Sequence, residues 1–138
     1  MDSLLVQDYM DRQAVLLTVD LSIDSAVAKL VKHRKTGAPV VDSKGKLVGF
    51  LSEQDCLSVM LKSTYHCDLV AKVSDCMRTD VLAVSPNYRL VQLAEQMLGP
   101  KPKVYPVVAD NKVIATIDRT NILKAIGEQM KLSYLSQI

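Results

Sequence analysis

The chain repeats itself once, and that repeat limits the available folds more than any other feature of the sequence. One constant offset carries Val6, Asp8 and Met10 onto Val73, Asp75 and Met77, Ile23 onto Leu90, Leu30 onto Met97, and Pro39-Val40-Val41 onto Pro106-Val107-Val108. With one residue fewer, Lys46-Leu47-Val48 falls on Lys112-Val113-Ile114, Leu51 on Ile117 and Leu57 on Leu123. The gap lies where Asp42-Ser43-Lys44-Gly45 meets Ala109-Asp110-Asn111. These are turn residues, and hairpin loops are where length changes are tolerated. Self-similarity of this kind separates residues that carry the fold, which recur, from residues that distinguish the copies.

Each copy reads as the same series of elements. An opening turn at Val6 to Met10 leads to a short strand, Val15 to Leu17, and then to a helix from Ile23 to His33 with Ile23, Ala26, Val27, Leu30 and Val31 on one face. Strands Pro39 to Val41 and Leu47 to Leu51 follow, joined by the Ser-Lys-Gly turn, and a helix runs from Glu53 to about Leu61. The second copy predicts strand Val81 to Val84, helix Leu90 to Leu98, strands Tyr105 to Val108 and Val113 to Ile117, and a helix from Arg119 to about Met130. A unit of about 60 residues buries too little surface to be stable alone. The fold class expected is therefore mixed α/β (α+β), two β-α-β-β-α repeats packed sheet to sheet with pseudo-twofold symmetry. The divisions expected are repeat 1 over 1–63, a linker over 64–72, repeat 2 over 73–130 and a tail over 131–138. In that tail Leu132, Tyr134, Leu135 and Ile138 are spaced to continue the last helix.

Composition removes several function classes. The 138 residues carry 17 Lys+Arg against 15 Asp+Glu, a net charge of +2, which is too little for the broad basic field of a non-specific nucleic-acid binder. Aromatic content is 4% with no Trp, which argues against a base-stacking platform. Apolar runs such as Val104 to Ala109 are far short of the ~20 residues of a membrane span, and Met1-Asp2-Ser3 does not begin a signal-peptide pattern, so a cytoplasmic protein without membrane insertion is expected. Cys56, Cys67 and Cys76 are odd in number and lack CxxC spacing, which argues against a disulfide framework and a structural zinc site. The five glycines form neither GxxxxGK nor GxGxxG. His66-Cys67-Asp68 falls in the expected linker, where neither catalysis nor metal binding is expected, and Met60, Met77, Met97 and Met130 read as core fillers.

The unit and its order resemble the CBS domain, and the pair resembles the tandem CBS (Bateman) module. The residues that carry this are Val6-Gln7-Asp8-Tyr9-Met10 with Val73-Ser74-Asp75-Cys76-Met77, Pro39-Val40-Val41-Asp42 with Pro106-Val107-Val108, and Leu47-Val48-Gly49-Phe50-Leu51-Ser52-Glu53-Gln54-Asp55. The resemblance spans about Val6 to Met130. It implies a regulatory module, not an enzyme, with no catalytic cofactor and no catalytic residue. Such modules bind AMP, ADP, ATP, S-adenosylmethionine or NAD in clefts between repeats and commonly form homodimers.

Ser52 and Asp55 are the centre of that expectation. Ser-x-x-Asp is by itself a capping pattern, in which the hydroxyl accepts a bond from an amide of the first helical turn. The resemblance adds that the Asp55 carboxylate accepts the two ribose hydroxyls and that the Ser52 hydroxyl contacts ribose or the first phosphate. A carboxylate offers two acceptor oxygens to a vicinal diol, and a helix N-terminus favours an anion. In the family's shared cleft, Val81 and Leu82 would wall the adenine with Gly37 and Ala38, and Lys101 and Lys103 would meet the phosphates. The second copy departs from the pattern: Asp118 stands for Ser52 and Asn121 for Asp55. Asp118 still caps, but its carboxylate repels phosphate and Asn121 is a weaker ribose acceptor. This second site is expected to be degenerate, with Arg34, Lys35 and Arg119 as its basic rim, leaving one nucleotide site per chain. Two readings follow: an adenosine-ligand sensor acting on an unidentified regulated protein, or a ligand-independent dimerisation or adaptor domain in which Ser52 and Asp55 are only a cap.

Overall fold

The computed structural model describes residues 2–66 and 71–136, with side chains at 2–62 and 71–132. Cys67 and Asp68 of the expected linker, Ile138, and the side chains of His66, Tyr134 and Leu135 lie outside the described residues. Two compact units emerge: Met1–Gln13, Leu82–Ala109 and Ile114–Ile138 form one, and Ala14–Val81 with Asp110–Val113 forms the other. No helix among the described residues is long and apolar enough to cross a membrane.

The Ala14–Val81 unit contains β1 (Leu17–Thr18), α1 (Ile23–His33), β2 (Gly37–Val41), β3 (Leu47–Ser52), α2 (Glu53–His66) and α3 (Val73–Cys76). Ser22 starts α1, its hydroxyl accepting the Ser25 amide at 3.2 Å, and Arg34 ends it in the left-handed conformation at φ 55°. Ile23, Ala26 and Leu30 recur at helical spacing and are buried. The sheet order is β1-β2-β3, with β1 parallel to β2 and β2 antiparallel to β3. Central β2 is buried at all five residues, as an unbroken Gly-Ala-Pro-Val-Val run requires. Leu17, Ile23, Leu30, Val40, Leu51, Cys56 and Val73 meet in one core.

The other unit contains a single 3-10 turn at Val6–Asp8, α4 (Leu90–Met97), β4 (Val104–Ala109), most of β5 (Lys112–Asp118) and α5 (Arg119–Ser136). Its core gathers Val6, Leu90, Leu93, Met97, Tyr105, Val107, Ile117 and Ile122. The strand expected over Val81 to Val84 contracts to a single parallel bridge, Val84 with Val107. Asp110 and Asn111 turn the β4–β5 hairpin at φ 51° and 63°, the two positive φ values of a tight two-residue turn. The first copy instead uses a longer turn closed by Gly45 at φ 81°, with Asp42 Oδ1 accepting the Lys44 and Lys46 amides at 2.9 Å each. These amides, chiefly that of Lys46, hold the Asp42 carboxyl below its ordinary range. This difference in turn chemistry is the one-residue gap between the copies.

The units do not follow the repeats. Val6, from the first copy, donates its amide to Tyr88 O at 2.9 Å, and Val73, from the second, donates to Leu21 O at 2.8 Å. Leu90 N–H meets Leu4 O at 3.0 Å, as Ile23 N–H meets Ala71 O at 3.1 Å. Asp8 and Asp75 brace the two turns by accepting the amides of Leu5 (2.8 Å) and Lys72 (3.0 Å). Each copy's opening turn is thus built into the unit that holds the other copy's helices. The exchange buries Val6 and Val73 completely.

Tyr105 is 1% exposed, and its hydroxyl has no hydrogen-bond partner among the described residues. Burial pushes its pKa above the ordinary value. A buried, unpaired hydroxyl costs about 1–3 kcal/mol. Tyr105→Phe should therefore raise stability by about 1 kcal/mol in urea unfolding. A comparable loss would mean that the hydroxyl is bonded, for example to a buried water.

Candidate functional site

Strand β3 delivers Ser52 to the start of α2. Its backbone is held opposite Gly37, and the Glu53 amide donates to Thr36 O at 2.8 Å. Ser52 and Asp55 then satisfy each other. The Asp55 amide donates to Ser52 Oγ at 3.1 Å, while the Ser52 amide and hydroxyl donate to Asp55 Oδ2 at 3.2 and 2.8 Å. The second carboxylate oxygen, Oδ1, takes none of these bonds. The Asp55 side chain is 18% exposed, which leaves it reachable but well fixed.

Arg78 completes this corner, and sequence reasoning missed it. Its Nε lies 3.5 Å from Asp55 Oδ2, and its side chain is 64% exposed. Its backbone exchanges two hydrogen bonds with Phe50, each 2.9 Å. The available signal was a charge reversal between the copies: Met77 is followed by Arg78 but Met10 by Asp11, and Asp11 makes the matching backbone exchange with Thr116. The close approach of Arg78 depends on Gly49. A Cβ there would stand 2.5 Å from Met77 Sδ and 2.9 Å from Arg78 O. Gly49→Ala should cost about 1–3 kcal/mol through overpacking, read as a lower urea midpoint at unchanged m-value. An unchanged midpoint would show that the Met77–Arg78 segment yields freely.

The second copy rebuilds the corner with other chemistry. Asp118 N–H donates to Asn121 Oδ1 at 2.8 Å and Asn121 N–H to Asp118 Oδ1 at 2.9 Å, while the Arg119 amide donates to Lys103 O at 3.1 Å. The capping function survives the change of residues. Arg34 and Lys35 follow α1 in the Ala14–Val81 unit, whereas Asp118, Arg119 and Asn121 belong to the other.

The other expected contacts are distributed as follows. Gly37 and Ala38 are buried in β2, opposite Ser52 and Leu51, so they share the corner's sheet. Val81 is half-buried in the same unit as Asp55, and Leu82, 48% exposed, begins a segment of the other. Lys101 is exposed. Lys103 Nζ is engaged locally, donating to Met97 O and, at 3.0 Å, to Gly99 O. It closes the C-terminal end of α4, where a cation meets the negative end of the helix dipole. The buried Cys56 and half-buried Cys76 are free thiols, both with pKa pushed up mainly by burial. That favours the inert thiol over the thiolate.

The family model described as CBS domain matches residues 6–62 and again 73–128. The crystal structure of CBSX2 in complex with AMP is 32% identical, covers 92% of this chain and 98% of that one, and superposes with a TM-score of 0.78. CBSX2 is from Arabidopsis thaliana. The AcuB structure from Vibrio cholerae, at 24% identity and coverage of 95% and 96%, has a TM-score of 0.83 and shares the fold. An uncharacterized protein of Methanocaldococcus jannaschii is 22% identical over 94% of this chain, which spans 45% of that relative's length.

Proposed function

This chain belongs to the CBS-domain family, and from that premise we propose that it is a non-catalytic regulatory module that binds one adenosine-containing ligand on Ser52 and Asp55 and passes its occupancy to a partner protein. The observation that carries this reading is the Asp55 carboxylate, fixed through Oδ2 with Oδ1 left to accept a ribose diol. The AMP bound by CBSX2, at 32% identity, supports the ligand class. The ligand would lie in a cleft shared by the repeats, with Val81, Leu82, Gly37 and Ala38 near adenine. The Asp118–Asn121 copy is the poorer site, because an added carboxylate opposes phosphate and Asn121 offers only a neutral acceptor. One ligand per chain is the expected stoichiometry. A ligand shifts a partner's equilibrium only by its differential affinity, so a coupling of about 1–3 kcal/mol is sufficient for regulation.

The adaptor reading draws on one observation, that the Ser52–Asp55 bonds already form a complete helix cap. Calorimetric titration with AMP, ADP, ATP, S-adenosylmethionine and NAD separates the two. Saturable binding of any of them at one site per chain supports the sensor, and no binding by the folded protein leaves the adaptor. A cytoplasmic homodimer fits either reading. Its surface would be the helices, where Val31, Leu57 and Leu61 of one unit and Leu98 and Leu123 of the other are exposed at 53–88%. An apolar groove of about 210 Å³ lies among Val27, Leu30, Val31, Cys56, Leu57 and Met60. Sedimentation at micromolar concentration should show a dimer, and a monomer would refute it.

A further inference from the structure

We infer that Arg78 is the specificity residue of this site, selecting adenosine ligands that carry a 5′-phosphate over those that do not. The inference rests on the adenosine-binding reading above and deepens it. Three observations converge on Arg78. Its Nε is 3.5 Å from Asp55 Oδ2, so the cation stands beside the carboxylate that would hold the ribose. A guanidinium has five N–H donors in a planar fork, and one ion-pair contact through Nε uses at most part of it. The side chain is 64% exposed, so the rest of the fork faces solvent and can take a phosphate bidentately. The backbone exchange with Phe50 fixes where the side chain starts, which lowers the entropy cost of aiming it.

The contrast within the molecule points the same way. Of the two cations expected to meet the phosphates, Lys101 is exposed and Lys103 already donates to two carbonyls at the end of α4. At the position equivalent to Arg78 the other copy has Asp11, in the same unit as Asp118 and Asn121. The intact ribose motif is therefore accompanied by a cation and the altered one by a second carboxylate. A ribose held by Asp55 would bring its 5′ substituent toward the neighbouring arginine, and a monophosphate there would give a doubly charged partner to the donors that Asp55 does not use. A neutral 5′-hydroxyl gains nothing from the guanidinium.

The test is a pair of titrations, AMP and adenosine, on the full chain and on Arg78→Gln. The Arg78 side chain takes no part in the backbone exchange with Phe50, so the variant keeps the fold, checked by thermal unfolding. The variant should lose about 10- to 100-fold in AMP affinity, the worth of a charge-assisted hydrogen bond, while adenosine affinity changes by less than about threefold. Equal losses for both ligands would make Arg78 a support for Asp55 and overturn the inference. Unchanged or tighter AMP binding would overturn it too, the latter marking Arg78 as a competitor of ligand. If the unaltered protein binds neither ligand, the inference is overturned, and the adenosine reading falls as well when ADP, ATP, S-adenosylmethionine and NAD also fail to bind.

Discussion

Leu90→Ala should destabilise the protein by about 2–5 kcal/mol, and Ile23→Ala by a similar amount. Leu90 is fully buried in the core that also contains Val6, Leu93, Met97 and Tyr105, and Ile23 is 5% exposed in the core around Leu17, Leu30 and Val73. Truncation removes the transfer free energy of the lost methyl groups and leaves a cavity that close-packed neighbours fill only in part. Both residues also begin helices, and their amides donate to the carbonyls of residues just before an opening turn, Leu4 and Ala71. A collapse of the cavity would have to move that backbone, so the cost belongs at the upper end of the range. Domains of this size have about 5–15 kcal/mol in total, so either change could remove a large share of it. Urea unfolding of the two variants beside Ser43→Ala is the decisive comparison, because Ser43 is exposed in the β2–β3 turn, away from the helices, and its truncation should change stability by less than about 0.5 kcal/mol. A loss below 1 kcal/mol at Leu90 would mean that the helix does not seat against this core.

The same residues show what could be read from the sequence. The apolar spacing Ile23, Ala26, Leu30 specified α1 to its ends, and the Pro-Val-Val runs specified β2 and β4, because each element's period appears in the sequence itself. Which core Val6 enters could not be read. Val6 and Val73 open the same Val-x-Asp-x-Met pattern in the two copies, so docking on one's own copy and docking on the other satisfy the same local pattern. Only three-dimensional chain closure decides between them. The one-residue gap was legible as a turn, but its chemistry was not, since positive φ at Asp110 and Asn111 is set by strand twist as well as by residue type. At the site, Ser52 and Asp55 stood out because Ser-x-x-Asp is a helix-capping pattern and stands where the family resemblance puts the ribose contact. Arg78 did not, since its pairing with Asp55 comes from a backbone bridge between Phe50 and Arg78 that no periodicity encodes. Lys103 was read for its charge alone, and the structure shows that charge directed at helix carbonyls.

Asp55→Asn should abolish most adenosine-ligand binding while leaving the fold intact, which makes it the most discriminating single change for the proposed function. The fold is protected by a precedent within the molecule: Asn121 occupies the equivalent position, accepts the Asp118 amide at 2.8 Å and donates its own amide back at 2.9 Å. Asparagine can therefore keep the reciprocal cap, and stability should fall by less than about 1 kcal/mol, since the ion pair lost with it involves a largely exposed Arg78. Binding has no such protection. If the amide oxygen keeps the place of Oδ2 in the cap, as Oδ1 of Asn121 does, an Nδ2 donor stands where Oδ1 was left for the diol, so the ribose hydroxyls lose their acceptor and the charge assistance of both bonds. Two charge-assisted bonds at about 1.5–3 kcal/mol each put the loss at a hundredfold or more in affinity for AMP and for adenosine alike. The equal loss for both ligands separates this variant from Arg78→Gln, whose effect should follow the phosphate. Calorimetry with both ligands checks the binding, and thermal unfolding checks the fold. Retained affinity in a folded Asp55→Asn protein would remove Asp55 from the ribose contact and leave Ser52 and Asp55 as a helix cap, the role that Asp118 and Asn121 already fill in the other copy.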